Sequence, residues 1–441
     1  MCENKQLLVG FAKVETTPDF QVRLAGYSDD EHRLSQMVVE PIYTTCIAIT
    51  QGKDTILVYT NDSLSCTHGV AEMIRLEVTA ATGIAGEKIF VGATHAHSCP
   101  SYAGDANARY RNRWIAGCVQ AAKLALADQA PATMLAGTKE FPGMNFVRHF
   151  VTANGTAAGS NFGTFKDNPA VGYLSEPDSQ MVLVKFEREG LKKPILLVNW
   201  QGHPDRGGQI GRFNIAPSYP APLRDTLSAL SGCLVAFFTG ADGNTNIDSR
   251  VEADKHNLNW REYGIKMAQL AYEFMPELKE MDVSGIETRR EMVTVDVDHS
   301  WDHMLEQANE VFTLWKSTDK KTGDALGKTY GFTSVYQARA IRSRAAMGKT
   351  MELEINAFRI GNLGFTTGTY EMFSEAGIDI KKRSPFDITF VITANSTYAP
   401  TEKAYAYRCY EADTSFYAPG TAEKLVDRYI ALLNEVKESW N

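Results

Sequence analysis

Short apolar runs, several rich in β-branched residues and bounded by Gly, Asn, Asp or Pro, alternate along the chain with segments whose apolar residues recur at helical spacing. The runs predict strands at Leu7 to Val14, Tyr43 to Thr50, Thr55 to Tyr59, Lys88 to Ala93, Thr133 to Glu140 and Met181 to Phe186. Further strands are predicted at Pro194 to Trp200, Cys233 to Thr239, Glu287 to Val297, Met351 to Ile360, Leu363 to Thr367 and Phe386 to Thr393. Helical spacing predicts helices at His68 to Thr82, Asn107 to Asp128, Ala221 to Leu230, Lys255 to Met275, Trp301 to Trp315, Thr333 to Met347, Glu371 to Lys381 and Thr421 to Ser439. Strands are too many for one simple sheet. The expected fold is therefore α/β, with mixed β-sheets packed face to face and helices outside, a four-layer αββα-like sandwich. No repeat, low-complexity linker or shift of composition divides the chain, which reads as one large α/β domain over residues 1–441.

Two stretches interrupt the alternation. Pro142 to Pro169 and Gly202 to Pro220 are rich in Gly, Asn and Pro and read as long loops, which in a compact domain are commonly functional.

Composition narrows the classes. A hydrophobic share of 44% with 22% charged residues is that of a globular protein with a large core. Lys plus Arg number 45 against 53 Asp plus Glu, for a net charge of -8, and no basic run is long enough to track phosphates, so nucleic acid is excluded as the expected partner. No apolar segment reaches the roughly 20 residues that cross a bilayer, and Met1 to Gln6 lacks the apolar stretch of a signal peptide. The expectation is a soluble, cytoplasmic chain, or a secreted or periplasmic one if it is a processed form. The 7 cysteines (2, 46, 66, 99, 118, 233 and 409) have no CxxC spacing, which argues for buried small apolar residues over disulfides or a cysteine zinc site. Cys99 alone stands next to candidate metal ligands.

Those ligands are histidines. In Val91-Gly92-Ala93-Thr94-His95-Ala96-His97-Ser98, a strand continuing through the motif would put His95 and His97 on one face, with both imidazoles available to one ion or one reacting group. Val198-Asn199-Trp200-Gln201-Gly202-His203-Pro204 again sets a histidine after a strand. Two such sites in one α/β chain suit a metal, although satisfied loop histidines remain an alternative. Gly240-Ala241-Asp242-Gly243-Asn244-Thr245-Asn246-Ile247-Asp248-Ser249 is a polar turn after a third strand; it matches neither a phosphate loop nor a calcium loop. Glu371 lies near a predicted helix start, where it either complements the helix dipole or serves the site. The segment Thr393-Ala394-Asn395-Ser396-Thr397-Tyr398-Ala399-Pro400 leads to Tyr405, Tyr407 and Tyr410, a cluster suited to packing or to hydrogen bonding.

Val9-Gly10-Phe11-Ala12-Lys13-Val14-Glu15-Thr16-Thr17-Pro18, Leu24-Ala25-Gly26-Tyr27, Glu40-Pro41-Ile42-Tyr43 and Thr94-His95-Ala96-His97-Ser98, with the segments above, resemble in order and spacing the catalytic domain of the neutral ceramidases. The resemblance runs from about residue 9 to about residue 415. It implies a zinc ion bound by His95, His203, Glu371 and Tyr398. It further implies that His97 contacts the reacting group and that Tyr410, twelve residues after Tyr398, hydrogen-bonds the substrate.

The chain also departs from the family. Aligning the Gly-Asp/Asn-x-Ser-Pro-Asn turn on Gly243-Asn244-Thr245 sets Asn246 where the serine nucleophile belongs; Thr245 and Ser249 lie nearby but not at that position. Asn145 is followed by Phe146 and Val147 before Arg148, the candidate for the family's arginine. The immunoglobulin-like domain of the longer ceramidases has no counterpart after Ser439. The expected activity is thus zinc-dependent hydrolysis of an amide (N-acyl) bond with activated water in place of serine, Asn246 orienting water or substrate. The partner is a small molecule, lipid-like or polar. The alternatives are a non-catalytic metal- or ligand-binding homologue, and a hydrolase of a carbohydrate or other polar metabolite.

Overall fold

The structure is a computed structural model that describes residues 6–27, 33–159, 167–394 and 397–439. Cys2 and the Asn395-Ser396 pair lie outside the described residues.

The architecture is mixed α/β with two principal sheets. The larger has 9 strands, ordered Leu234–Thr239, Ile195–Trp200, Gln180–Arg188, Ala130–Glu140, Leu7–Glu15, Tyr43–Gln51, Asp54–Asn61 and Ile89–Ala93, with Lys279–Glu280 added beside Ala130–Glu140. The smaller has 4 strands, ordered Ile286–Asp296, Thr350–Ile360, Leu363–Gly368 and Ile388–Thr393. Their facing sides share one apolar core: Val9, Ile47, Val58 and Phe90 from the larger sheet meet Phe358, Phe365, Phe390 and Ile392 from the smaller. The outer face of the large sheet is covered by helices His68–Thr82 and Ala108–Ala127 towards one end and by Pro220–Ser231 and Trp260–Phe274 towards the other. Helices Ser374–Arg383 and Thr421–Glu438 cover the small sheet. This is the four-layer arrangement expected from the alternating pattern, and each strand buried between layers is apolar on both faces for that reason.

Most pairings are antiparallel; among the described residues the two principal sheets contain three parallel pairs, Asp54–Asn61 with Ile89–Ala93, Ile195–Trp200 with Leu234–Thr239, and Leu363–Gly368 with Ile388–Thr393. The large sheet curls until its two edges meet. Thr60 Oγ1 donates to Phe237 O at 2.6 Å, and Thr239 Oγ1 to Thr94 O at 2.9 Å. The small sheet joins the same place through Asn199 Nδ2 to Val391 O (2.8 Å) and Thr393 Oγ1 to Gly240 O (2.9 Å). The carboxyl ends of all three parallel pairs therefore open into one region, the usual place for a site in an open α/β sheet.

Boundaries shift where caps decide them. The helix expected from Lys255 starts at Trp260, because the Asn259 side chain accepts from Arg261 N and Glu262 N while Glu262 returns the bond, a capping box. Lys320–Thr329 is a helix that the pattern did not reveal, being polar and only 10 residues long. The 6 cysteines among the described residues are free and buried; Cys99 lies with Sγ 3.9 Å from Ala216 O, outside the histidine cluster. Among the described residues no helix is long and apolar enough to cross a membrane.

Candidate metal centre and cleft

Six polar side chains of the site follow the ends of parallel strands. His95 and His97 come after Ile89–Ala93, His203 after Ile195–Trp200, Asp242 after Leu234–Thr239, Glu371 after Leu363–Gly368 and Tyr398 after Ile388–Thr393. The expectation that the strand runs on through both histidines is corrected. It ends at Ala93, and His95 takes a left-handed conformation at φ 59°. A non-glycine residue there costs about 1–2 kcal/mol, here offset by Thr94 N donating to Asn61 O at 2.8 Å and Ala96 N to Ser63 O at 3.1 Å. That turn, not strand alternation, brings the imidazoles together.

Glu371 is corrected likewise. It belongs to a short strand, Glu371–Met372, paired in parallel with Tyr398–Ala399 so that Glu371 faces Tyr398 in register; the helix begins only at Ser374. The sequence Thr-Gly-Thr-Tyr before it supplies no cap, so the carboxylate is spent on the site and not on a helix dipole.

Three imidazoles converge. His97 Nε2 is 3.2 Å from His95 Nε2 and 3.0 Å from His203 Nε2. Behind each ring the other nitrogen meets a main-chain carbonyl: His95 Nδ1 with Leu64 O at 2.7 Å, His97 Nδ1 with Gly26 O at 2.8 Å, and His203 Nδ1 with Asp242 O at 3.1 Å. Burial pushes the His95 and His203 imidazoles well below their ordinary pKa, with each neighbouring imidazole and Arg148 adding to the effect, and it lowers His97 too. A neutral imidazole whose Nδ1–H is given to a carbonyl presents a bare lone pair at Nε2. Three lone pairs at this separation repel one another unless a cation lies among them.

The fourth group is Glu371. Its Oε2 is 3.7 Å from His95 Nε2, is buried, and has no hydrogen-bond partner among the described residues. Burial raises its carboxyl pKa well above the usual range, and the carboxylates of Asp242 and Glu411 add to this while Arg148 and a hydrogen bond from Tyr398 oppose it. An orphaned carboxylate oxygen beside converging imidazoles is the donor set of a divalent ion such as zinc, and a cation there would remove both penalties. The residues present fit that group. His203 is oriented further by Asp242, whose Oδ2 lies 3.7 Å from His203 Nδ1, a carboxylate behind a histidine as metal sites commonly have.

Arg148 forms the floor. Its Nε donates to Glu411 Oε1 at 2.6 Å, and its Nη2 to Gly243 O at 2.8 Å and Tyr398 OH at 3.2 Å. Glu411 also meets His149 Nε2 at 2.8 Å, and His149 Nδ1 meets Tyr407 OH at 2.9 Å. Although burial works against ionisation, Arg148 and His149 hold the Glu411 carboxyl at about 2.

Above the floor is a cleft of about 410 Å³ that includes His95, His97, Arg148, Glu371, Tyr398 and Tyr410 in its lining. Asn246 does not line it among the described residues; it is half-buried on the short strand Thr245–Asn246, opposite Phe146. Thr245 Oγ1 is committed to Gln201 O (2.8 Å), and Ser249 Oγ to Tyr173 OH (2.5 Å). Asn145 is structural, giving its amide to Asp178 O and Gln201 O. The two stretches expected as long loops are corrected in part: the first contains the strands Phe146–Val147, His149–Thr152 and Ala157–Gly159, and the second the helix Gly207–Ile210 and the strand Asn214–Ile215, while Arg148 from the first and His203 and Asp205 from the second reach the cluster and cleft.

Asp242 and Glu411 were not singled out from the sequence, although each lies inside or next to a segment that was. Asp205, 3.9 Å from His97 Nδ1 and bonded to Tyr27 OH, was also missed. So were Tyr336, Lys320 and Arg339 in the cleft wall, which no local motif marks.

The fold and site define a mixed α/β protein with a metal-type cluster at the strand ends. No family model and no curated protein sequence matches the chain. Solved structures do. A structure titled "Ceramidase complexed with C2" matches with a TM-score of 0.73 at 16% identity, over 99% of this chain and 76% of that one. The neutral ceramidase from Pseudomonas aeruginosa matches with a TM-score of 0.72 at 15% identity, over 98% of this chain and 75% of that one. The chain has a neutral ceramidase-like fold.

Proposed function

We propose that the protein is a zinc-dependent hydrolase that cleaves an amide (N-acyl) bond with water as the nucleophile. The observation that carries this reading is the convergence of three neutral imidazoles on one point beside the orphaned carboxylate oxygen of Glu371. His95, His203, Glu371 and Tyr398 would hold the ion, the set that the resemblance of the sequence to the neutral ceramidases implies; His97 converges on the same point and is assigned to the reacting group on that resemblance. A bound zinc ion supplies Lewis-acid polarisation of a carbonyl and acidifies water.

The chain's own residues do the rest. His97, with its Nδ1–H tied to Gly26 O, offers Nε2 as the base that takes a proton from the attacking water and returns it to the leaving amine. Asp205, near the other side of that ring, favours the imidazolium in between. Arg148 fixes the Tyr398 hydroxyl, and Tyr410 packs edge-on to Tyr398 at 5.9 Å, where its hydroxyl can hold the substrate. Water as nucleophile is supported by the lining, in which no serine or threonine stands among the described residues. Asn246 at the family's serine position would act on water or substrate only through a shift of its strand.

Metal analysis tests the reading. Purified protein should carry stoichiometric zinc that His95→Ala and His203→Ala lose, and the loaded protein should hydrolyse at least one member of a panel of N-acyl amides. Absence of metal under conditions that preserve bound zinc would overturn it. Bound zinc without hydrolysis of amides, esters or glycosides would favour the non-catalytic alternative.

A further inference from the structure

The wall of the cleft opposite Asp205 comes from an excursion of the small sheet. Ile286–Asp296 and Thr350–Ile360 form a hairpin whose last pair is Asp296 with Thr350, and the intervening chain folds into helices Leu305–Ser317, Lys320–Thr329 and Val335–Ala345 around their own core of Val311, Trp315, Val335 and Ile341. This bundle contributes Lys320, Tyr336 and Arg339 to the lining of the cleft that holds His95 and His97. Tyr336 on its last helix packs edge-on to Tyr410 at 5.8 Å, and Tyr410 in turn to Tyr398 at 5.9 Å, so three rings climb from floor to rim.

Two cations stand at the top of that stair. Lys320 Nζ is 5.1 Å and Arg339 Cζ 5.7 Å from the Tyr336 ring, and both line the cleft. Lys320 has a carboxylate partner in Asp324 at 2.6 Å, whereas Arg339 is exposed and has none among the described residues. Arg148 is neutralised by Glu411; of the two acidic residues of the lining among the described residues, Glu371 lies at the histidine cluster and Asp205 by Tyr27 and His97. On a chain of net charge -8, a guanidinium without a carboxylate partner among the described residues and an ammonium held by Asp324 put two cations at one place on the cleft wall. Among the described residues the same lining contains a single aliphatic side chain, Leu64, which is poor cover for a long hydrocarbon tail.

We propose that this cleft takes polar amide substrates bearing a carboxylate remote from the scissile bond, received by Arg339 and Lys320 over the Tyr336 ring. The inference rests on the hydrolase reading for the reaction but not for the binding. Arg339 offers the fork that matches a planar carboxylate, and Lys320 a point charge beside it. Two ring-to-ring steps separate the cations from Tyr398, so the anion must sit several bonds from the amide carbonyl.

The probes are N-acetyl-6-aminohexanoate, its neutral carboxamide, and N-acetylglycine, in which the carboxylate is too close to reach the rim. Calorimetric titration of zinc-loaded protein reads binding whether or not turnover occurs. The hexanoate should bind more tightly than the other two, and Arg339→Gln and Lys320→Gln should each weaken it by up to about fivefold, as expected for exposed charge pairs. Binding of the carboxamide should not change, and Lys321→Gln, which removes an exposed cation of the same helix outside the cleft lining, should affect neither ligand. Equal binding of hexanoate and carboxamide, tighter binding of N-acetylglycine, no binding of any probe, or indifference to both rim substitutions would each overturn the proposal. Selective binding without hydrolysis would leave it standing and remove the hydrolase reading instead.

Discussion

Replacing Arg148 by Met removes a guanidinium that is 4% exposed and makes hydrogen bonds to Glu411, Gly243 and Tyr398. What it leaves behind sets the magnitude. Glu411 is buried and ionised, with a pKa of about 2 where a free glutamate has about 4.3, and the gap corresponds to about 3 kcal/mol. That agrees with the roughly 3–5 kcal/mol lost when one partner of a buried ion pair is removed. Arg148→Met should therefore lower the unfolding free energy by about 3 kcal/mol in urea at pH 7. Glu411→Gln added to it should recover much of the loss, because the buried charge left with His149 as its remaining side-chain partner goes with it.

The sign in pH follows. A depressed carboxyl contributes its stability above the unfolded pKa and loses it as pH falls towards the folded one. The coupling between residues 148 and 411, measured by a double-mutant cycle, should be full at pH 6 and shrink between about pH 5 and pH 2. A single variant costing less than about 1 kcal/mol, or a coupling that does not change with acidification, would refute the assignment of Glu411 as the ionised partner of Arg148.

Other outcomes follow from single contacts. Gly26→Ala puts a Cβ 2.7 Å from His97 Cα at a φ of +106°, so it should destabilise the fold and lower activity by moving His97, read by thermal melting and turnover together. Asp242→Asn keeps the backbone bond to His203 but weakens its orientation, and should lower zinc affinity by about 10- to 100-fold in a competition titration. Asn246→Ser should give no trapped acyl adduct in mass spectrometry, since residue 246 does not line the cleft among the described residues; an adduct would put it within reach. Arg75→Met should cost about 1.5–3 kcal/mol, because it removes contacts at 2.5 and 2.8 Å from the buried Glu354 carboxylate while Arg290, His68 and Asn356 still hold it, with no loss of metal binding.

Much of this was legible in the chain. Apolar runs such as Leu196-Leu197-Val198 can only be buried on both faces, which is why layers on both sides were predictable. The histidines and Glu371 were legible as residues but not as geometry. Periodicity assumes a regular strand, and His95 departs from it through one left-handed residue that no composition signals. Pairing of Glu371–Met372 with Tyr398–Ala399 is a long-range register, invisible to local patterning. Lys320 and Arg339 were missed because an exposed cation on a polar helix looks the same whether it faces solvent or a cleft. Asn246 was placed by alignment of a turn, and alignment carries no information about how far that turn stands from the cavity.

The ring nitrogens behind the cluster all rest on peptide carbonyls of residues 64, 26 and 242. Every amino acid brings the same carbonyl, but residues 26 and 242 are also held to their identity, by the space a Cβ at Gly26 would take from His97 and by the Asp242 carboxylate behind His203. Leu64 carries neither constraint, so mutational scanning of Leu64 should find many acceptable residues beside a His95 that accepts almost none.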